Sequence, residues 1–522
     1  MSGGPGSPPD VPRQGSGARR TPAAADRRER STGSAIGLSV LNAILPGTAF
    51  LAAGRRVLGA VTLVVLLALA GGAVWLATGG RRTALQAAVD TDQLLWIVAG
   101  VGLIALLWAA VVVAGVVLLF SRRRRALGAL VATVLVAAVA VPAVWAGQLA
   151  LTQRDLIAGV FDDGDSATVE ETPDPFGDKE RVNVLLLGGD GGVGREGVRT
   201  DTVIVASIDT DTGDTVLFSL PRNLQDLPFP EDSPLADVYP DGFEGANESD
   251  SLLNAVYRTG PEWYPGILGP TDDPGADFLK LGVGEALGLS IDYYVLVNLE
   301  GFSRLIDALG GITVNVNYYV PIGGEPSLGI FPDAYIAPGP DQHLDGARAL
   351  DFARGRFGMS DYDRMARQRC TIQAIIDAAD PMTLLRQYQR LAATTQDIIS
   401  TDIPRSALDD FVDLALLVQD ASITSVVFDP SVIDPAYPDY DRIREIVDEA
   451  IAPAPPPGGA TPPADPAEEP ALPSEPAGPA DGPGTEEPTA DDPVADLGDA
   501  CAYDPQQAAA ARAEGQPPTR DD

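Results

Sequence analysis

Three long runs of apolar residues dominate the first third of the chain. Val57–Thr78, Leu94–Phe120 and Ala126–Gly147 carry no charged residue. About 20 such residues span a bilayer core, so each run predicts a membrane-crossing helix. Buried core helices are disfavoured at these lengths. A signal peptide is disfavoured because several long spans follow one another with no cleavage pattern. A fourth uncharged stretch, Ser34–Ala53, is interrupted by Asn42, Pro46 and Gly47. It reads as a re-entrant or interfacial hairpin, since a fourth span would push the basic tail 1–33 outside.

After Gly147 the pattern changes. A polar, acidic connector at 151–180 leads to a globular region, 181–451. Val182–Leu187 reads as a buried strand, and Thr202–Ile208 with Thr215–Leu220 as a strand pair joined by the turn Asp209–Gly213. Tyr293–Val297 is a further strand, followed by a helix over Gly301–Leu309. Gly310 and Gly311 stop that helix and Ile312–Val316 resumes a strand. Leu344–Ala353 and Tyr362–Ala379 read as helices. Alternating strands and helices predict an α/β domain with a mixed central sheet flanked by helices. From residue 452 to the end, Pro, Ala, Gly, Asp and Glu dominate, a composition that predicts a disordered tail.

Charge sets the orientation. The 522-residue chain has 36 basic and 73 acidic residues, a net charge of −37, and the acid lies mostly after Asp155. That acidity argues against nucleic-acid binding, which needs a basic stripe. Arg122, Arg123, Arg124 and Arg125 form a short loop that belongs in the cytoplasm, as do Arg55, Arg56 and the tail with Arg19, Arg20, Arg27, Arg28 and Arg30. Alternation from the four-Arg loop then predicts a multi-pass cell-membrane protein whose large C-terminal domain is extracytoplasmic. That location permits a disulfide between the two cysteines, Cys370 and Cys501. Two free thiols are the alternative.

Four motifs carry candidate chemistry. Gly188-Gly-Asp-Gly-Gly-Val-Gly194 contains a formal G-x-G-x-x-G after a strand. It runs into another strand instead of opening a helix, and no G-K-[ST] follows, so both dinucleotide and P-loop readings fail. What remains is a loop that holds Asp190 at a strand end. Arg199-Thr-Asp-Thr202 places Asp201 at the start of the next strand. Two strand-end carboxylates suit a hard cation such as Mg²⁺ completed by phosphate oxygens, or an ordinary loop-edge salt bridge. Ser219-Leu-Pro-Arg222 puts Arg222 just past a strand. Finally, Arg354 and Arg356 precede Asp361, Arg364, Arg367 and Gln368. Arg364 and Arg367 are three apart and so share a helix face. Guanidinium forks suit bidentate phosphate binding; a helix laced by Asp361 and Asp363 salt bridges is the plainer reading. His343 is the single histidine, so a Ser-His-Asp or Cys-His arrangement would rest on it alone. No zinc spacing is present.

In order and spacing these segments resemble the LytR–CpsA–Psr family over about Arg181–Gln373. The resemblance rests on Asn183-Val-Leu-Leu-Leu-Gly-Gly-Asp190, Arg199-Thr-Asp-Thr202, Ser219-Leu-Pro-Arg222 and Asp307-Ala-Leu-Gly-Gly311. It continues through Leu344-Asp-Gly346, Ala349-Leu350, Arg354-Gly-Arg356 and Asp361 to Gln368. It implies an envelope phosphotransferase that moves a glycopolymer from a polyprenyl pyrophosphate carrier onto a peptidoglycan acceptor. Asp190 and Asp201 would then serve an Mg²⁺ site, and Arg199, Arg222, Arg354, Arg356, Arg364 and Arg367 would hold the pyrophosphate. Asp361 and Gln368 would complete the site. Val203, Val205, Leu217, Val295 and Val297 are candidates for the groove that takes the polyprenyl tail. Hydrolysis of the lipid pyrophosphate, or non-catalytic binding of lipid-linked precursors, are the alternatives. The chain departs from the family pattern at Asn223, where Asp is usual, at Asp363, where Gly is common, and at Leu252 and Leu253, where a basic residue is common. Its several spans are also unusual for the family.

Overall fold

The structure is a computed structural model and describes residues 31–161, 164–169, 172, 175–177, 179–190, 198–379, 399–419, 421–452 and 494–520. The chain forms two compact units, one of 1–74 with 101–145 and one of 75–100 with 146–522.

Among the described residues, three helices are long and apolar enough to cross a membrane: Arg56–Thr78, Thr91–Leu119 and the stretch Arg122–Val160. In the first unit, the helix Thr32–Ile44 breaks at Leu45 and a second short helix, Thr48–Ala52, follows the left-handed Gly47. Buried Asn42 holds that break. Its Oδ1 accepts from Gly47 N at 3.0 Å and Ala49 N at 3.1 Å, and its Nδ2 donates to the Val111 carbonyl at 3.2 Å. A polar side chain in so apolar a setting is tolerated because it caps backbone N–H groups that the break leaves open. Pro46 and Gly47 thus mark a helix–turn–helix rather than a straight span.

The second unit is built on a seven-stranded mixed sheet. Its strands are β1 (Arg181–Gly189), β2 (Thr200–Asp209), β3 (Thr215–Leu220), β4 (Tyr293–Asn298), β9 (Ile399–Thr401), β10 (Ile423–Val427) and β11 (Val494–Asp496). The order is β11-β10-β3-β2-β1-β4-β9. β1 pairs antiparallel with β2 and parallel with β4, while β3 pairs parallel with β10. The central strands bury both faces, as their near-continuous apolar runs require. Leu185, Leu187, Val203, Val205, Phe218 and Leu296 face a core closed by the helices Leu253–Trp263, Pro274–Leu287 and Tyr440–Ile451. Leu186, Ile204, Ala206 and Leu217 alternate onto the other face, where Ile372 and Ile376 of the helix Asp361–Ala378 cover part of the sheet.

A smaller layer completes the domain. β5 (Ile312–Val316) pairs with β8 (Gly339–Leu344), and β6 (Val320–Ile322) with β7 (Ala334–Ile336). Ile312–Val316 is therefore a strand outside the central sheet.

Two sequence expectations need correction. The third apolar helix does not end near Gly147. It runs to Val160, where Arg405 donates to the Phe161 carbonyl at 2.7 Å and the Ala158 carbonyl at 3.2 Å. Its last turns, through Ile157, pack with Val182 and Val184, so the polar connector begins later than residue 151. The C-terminal tail is not without structure either. Residues 494–520 contribute β11, pairing antiparallel with β10, and the helix Pro505–Glu514, and Cys501 is joined to Cys370 by a disulfide. The remainder of that tail, 453–493, lies outside the described residues, as does the basic tail up to residue 30.

Candidate active site

A β-bulge starts the site. Gly188 pairs with Thr202 and Gly189 with Thr200, leaving Asp201 as the extra residue on β2. Plain alternation would send Asp201 and Thr202 to opposite faces. The bulge re-aims the chain, and both residues line one cavity. Gly188 is required there, because a Cβ would sit 2.8 Å from the Thr202 side chain. At the end of β1, Asp190 faces Arg199: its N–H donates to the Arg199 carbonyl at 3.1 Å, and its Oδ1 accepts from Arg199 N at 2.9 Å. The rest of the glycine loop, 191–197, lies outside the described residues.

The Asp201 carboxylate is held from two sides. Arg222 Nη1 and Asn254 Nδ2 both donate to its Oδ1 at 3.1 Å. Burial pushes this carboxyl upward, but the bonds from Asn254 and Arg222 outweigh it and keep the carboxyl below its usual range. Arg222 also reaches Asp361 Oδ1 at 3.3 Å. Arg364 in turn bonds Asp361 Oδ2 at 2.9 Å and the Asp201 carbonyl at 3.1 Å. Two carboxylates and two guanidiniums thus form one alternating network that spans β2, the β3 exit and the helix Asp361–Ala378.

That helix is well started. Ser360 caps it, and Asp363 returns a bond to the Ser360 backbone at 2.9 Å. Asp363 stands where the resembled family often has Gly, and capping is its role here. Arg364, Gln368, Thr371, Ile372 and Ile375 then fall on one stripe and all line the cavity.

Arg354 and Arg356 reach the same cavity from the loop that ends the helix Gly346–Arg354. Gly355 between them has no room for a side chain, since a Cβ would lie 2.5 Å from the Pro321 carbonyl.

Not every predicted site residue points inward. Arg367 is buried, and its guanidinium bonds the Phe352 carbonyl at 2.7 Å, the Gly355 carbonyl and the Tyr318 hydroxyl at 3.1 Å. It braces the Arg354–Arg356 loop rather than lining the cavity. Arg199 turns to Asp250 at 3.1 Å, a carboxylate it shares with Arg258. Asn223 is exposed and does not line the cavity, so the loss of a carboxylate there leaves the cavity wall unchanged. His343 is exposed and likewise absent from the wall.

Beyond the charged groups the cavity, about 390 Å³, is largely apolar. Ile204, Val295, Val297, Phe302, Leu305 and Ile375 are among its lining. Val203 and Val205, expected as groove candidates, face the opposite core, and Leu217 is buried away from the cavity. Sequence reasoning missed Phe302, Leu305 and Leu350, which come from the helices Leu299–Leu309 and Gly346–Arg354. Phe302 shares a helix face with buried Ile306 one turn on, and that apolar spacing was the available signal. Asp351 also lines the wall, and burial raises its carboxyl above the ordinary range against the pull of Arg354 and Arg348.

Residues 161–432, just over half of the chain, match the LytR_cpsA_psr family. The chain belongs to that family. Among relatives of this LytR_cpsA_psr protein, a polyisoprenyl-teichoic acid–peptidoglycan teichoic acid transferase, TagU, from Enterococcus faecalis is 31% identical over 243 residues, 46% of this chain and 66% of the relative. Biofilm regulatory protein A of Streptococcus mutans is 26% identical over 240 residues, 45% of this chain and 53% of the relative. Both alignments span less than two thirds of the relative's length. The crystal structure of B. subtilis TagV aligns with a TM-score of 0.36 and 22% identity, covering 52% of this chain and 97% of that one. The cavity, its arginines and its strand-end carboxylates all lie within the matched family segment.

Proposed function

We propose that this chain is a membrane-anchored phosphotransferase that moves a glycopolymer from a polyprenyl pyrophosphate carrier to peptidoglycan. One observation carries the reading: Arg354, Arg356 and Arg364 line the same cavity as a wall of aliphatic and aromatic side chains. Such a cavity suits an amphiphile with a polyanionic head and a hydrocarbon tail. The names of the TagU relatives support this substrate class. The three apolar helices support anchoring, and the Arg122–Arg125 loop supports an extracytoplasmic domain.

The donor set fits Mg²⁺. Asp190 and Asp201 both line the cavity. Mg²⁺ is bound in that way, by one or two carboxylates plus water and substrate phosphates. Bound there, it would draw charge from the diphosphate and make phosphorus more open to attack.

The chain's own residues do the remaining work. The guanidiniums of Arg354, Arg356 and Arg364 bind the diphosphate oxygens and stabilise the charge that builds on the departing polyprenyl phosphate. Arg222 and Asn254 fix the Asp201 carboxylate, and Arg222 with Asp361 fixes Arg364. The apolar wall excludes water around the lipid-side phosphate. An acceptor hydroxyl then attacks the sugar-proximal phosphorus and gives up its proton to solvent, a phosphodiester forms, and the bond between the two phosphates breaks to release the polyprenyl phosphate.

The test is transfer of labelled glycan from a lipid carrier to peptidoglycan by the purified full-length chain. The Arg354→Ala, Arg356→Ala double variant is expected to lose transfer by at least about a hundredfold, the scale of losing preorganised charge stabilisation. Undiminished transfer by that variant would sink the assignment, and phosphate release without acceptor would make the chain a hydrolase.

A further inference from the structure

Between β6 and β7 the chain turns through a tip, residues 323–333, whose two sides differ. Gly323, Gly324, Glu325 and Pro326 line the cavity. Leu328, Ile330 and Phe331 face outward with 72%, 37% and 45% of their surface exposed. Residues 326–332 contain no charge in a chain whose net charge is −37. At the base of the tip, the Asp333 carboxylate meets Arg520 at 3.1 Å. Phe331 packs against Phe357, a cavity residue, with ring centroids 5.4 Å apart and the planes tilted by 43°.

We infer that this tip inserts into the outer leaflet of the membrane and opens the cavity toward the lipid carrier. The inference rests on the proposed lipid-linked donor. Three large apolar side chains clustered on one exposed turn are costly in water unless something covers them. A bilayer interface is the favoured occupant for two reasons. The same chain carries three helices able to cross a membrane, so the domain is held near a lipid surface in any case. The tip also closes part of its own backbone bonding. Glu325 N and Ile330 O pair at 2.8 Å, Ile330 N and Glu325 O at 3.0 Å, Leu328 N reaches Glu325 O at 3.2 Å, and Gly329 N reaches Pro326 O at 3.1 Å. Pro326 and Pro332 have no N–H to lose. A turn that closes these bonds itself carries fewer open backbone groups into an apolar phase. Gly323, Gly324 and Gly329, all at positive φ, make so tight a turn accessible.

The two native cysteines are paired, so a Leu328→Cys variant of the full chain offers one free thiol for a water-sensitive fluorophore. It is reconstituted in phosphatidylcholine–phosphatidylglycerol vesicles carrying nitroxide lipids in both leaflets. A Thr212→Cys variant, labelled at the exposed β2–β3 turn, is the reference. The expected result is blue-shifted emission at position 328, quenched several-fold more by nitroxide lipids than at 212. Equal quenching at the two positions overturns the inference. So does shielding from aqueous iodide without quenching by lipid, which would assign the tip to a protein partner or a second copy. No turnover enters the measurement. An inserted tip in a chain that transfers nothing would keep this inference and defeat the transferase, and an active enzyme with a water-exposed tip would do the reverse.

Discussion

Arg222 donates to Oδ1 of Asp201 at 3.1 Å, and with Asn254 it holds that carboxyl below its ordinary range in spite of burial. A carboxylate whose folded-state value is depressed contributes stability that is complete above its unfolded value, near 3.9, and that is lost as pH falls through the folded value. Asp201→Asn is therefore expected to melt below the wild type at pH 6. The gap should shrink as pH drops under about 4 and on through the depressed folded value, below which the native carboxyl is protonated and resembles the amide. Thermal melts of both proteins from pH 2.5 to 7 check this. A gap that stays constant with pH would show that the Asp201 charge does not carry the Arg222 contact.

Arg367 separates bracing from binding. Its guanidinium serves the Phe352 and Gly355 carbonyls and the Tyr318 hydroxyl at once. Removing it leaves buried acceptors unpaired, at about 1–3 kcal/mol each. Arg367→Ala is expected to destabilise the domain by about 2–5 kcal/mol. Arg367→Lys should recover only part of this, because one ammonium cannot match the planar fork. Arg356→Ala, which changes the cavity wall, should leave the denaturant midpoint nearly unmoved while abolishing transfer. Chemical denaturation of the three variants decides it: if Arg356→Ala unfolds as readily as Arg367→Ala, the division of roles is wrong.

These two residues also show how far the chain can be read without its structure. The motif spacing located Asp190, Asp201, Arg354, Arg356, Arg364 and Gln368, and the structure brings all six to one cavity. Spacing of three did not distinguish Arg364 from Arg367. Position 368 continues the stripe of 364 at one full turn, whereas 367 falls on its flank and meets the small layer. The family resemblance offered Val203 and Val205 as groove candidates, but strand alternation says nothing of which face is which; only the helices above each face settle that. The Asp201 bulge breaks alternation at the site itself. The C-terminal strand was masked by composition, because Pro, Ala and acid outweigh a three-residue Val-Ala-Asp segment. Cys501 was the one local sign that the segment returns to the domain.

That return gives a third prediction. The Cys370–Cys501 bond closes a loop across a sequence separation of 131 residues, and Asn315 and Asn317 hold the Cys501 and Ala502 carbonyls at 3.1 Å. Chain entropy alone ascribes about 5 kcal/mol to a loop of this length, and measured values commonly fall nearer 2–4 kcal/mol. Cys501→Ser and Cys370→Ser are expected to lose similar stability, since each removes the same cross-link. Limited trypsin digestion should then cut after Arg512 and Arg520 sooner than in the wild type, where Arg512 is held on the Pro338 carbonyl at 2.7 Å and Arg520 on Asp333. Equal protease resistance with and without the cross-link would mean that the strand and the asparagine contacts suffice.

The apolar wall makes the last prediction, and it bears on the substrate directly. Ile375 follows Thr371 by one helical turn on the cavity stripe, beyond Arg364 and Gln368 and toward the aliphatic wall. Ile375→Trp adds an indole to that wall without touching a charged group. If the cavity holds a hydrocarbon tail, the filled variant loses room for the far end of the chain before it loses the diphosphate site. The KM for a long polyprenyl donor is then expected to rise about tenfold, the effect of roughly two methylenes of lost burial. A donor truncated to a few isoprene units should be much less affected, and kcat should change little for either. Steady-state transfer assays with two donor lengths measure the split. Equal losses for long and short donors would mean that the tail lies elsewhere and that the cavity serves only the head group.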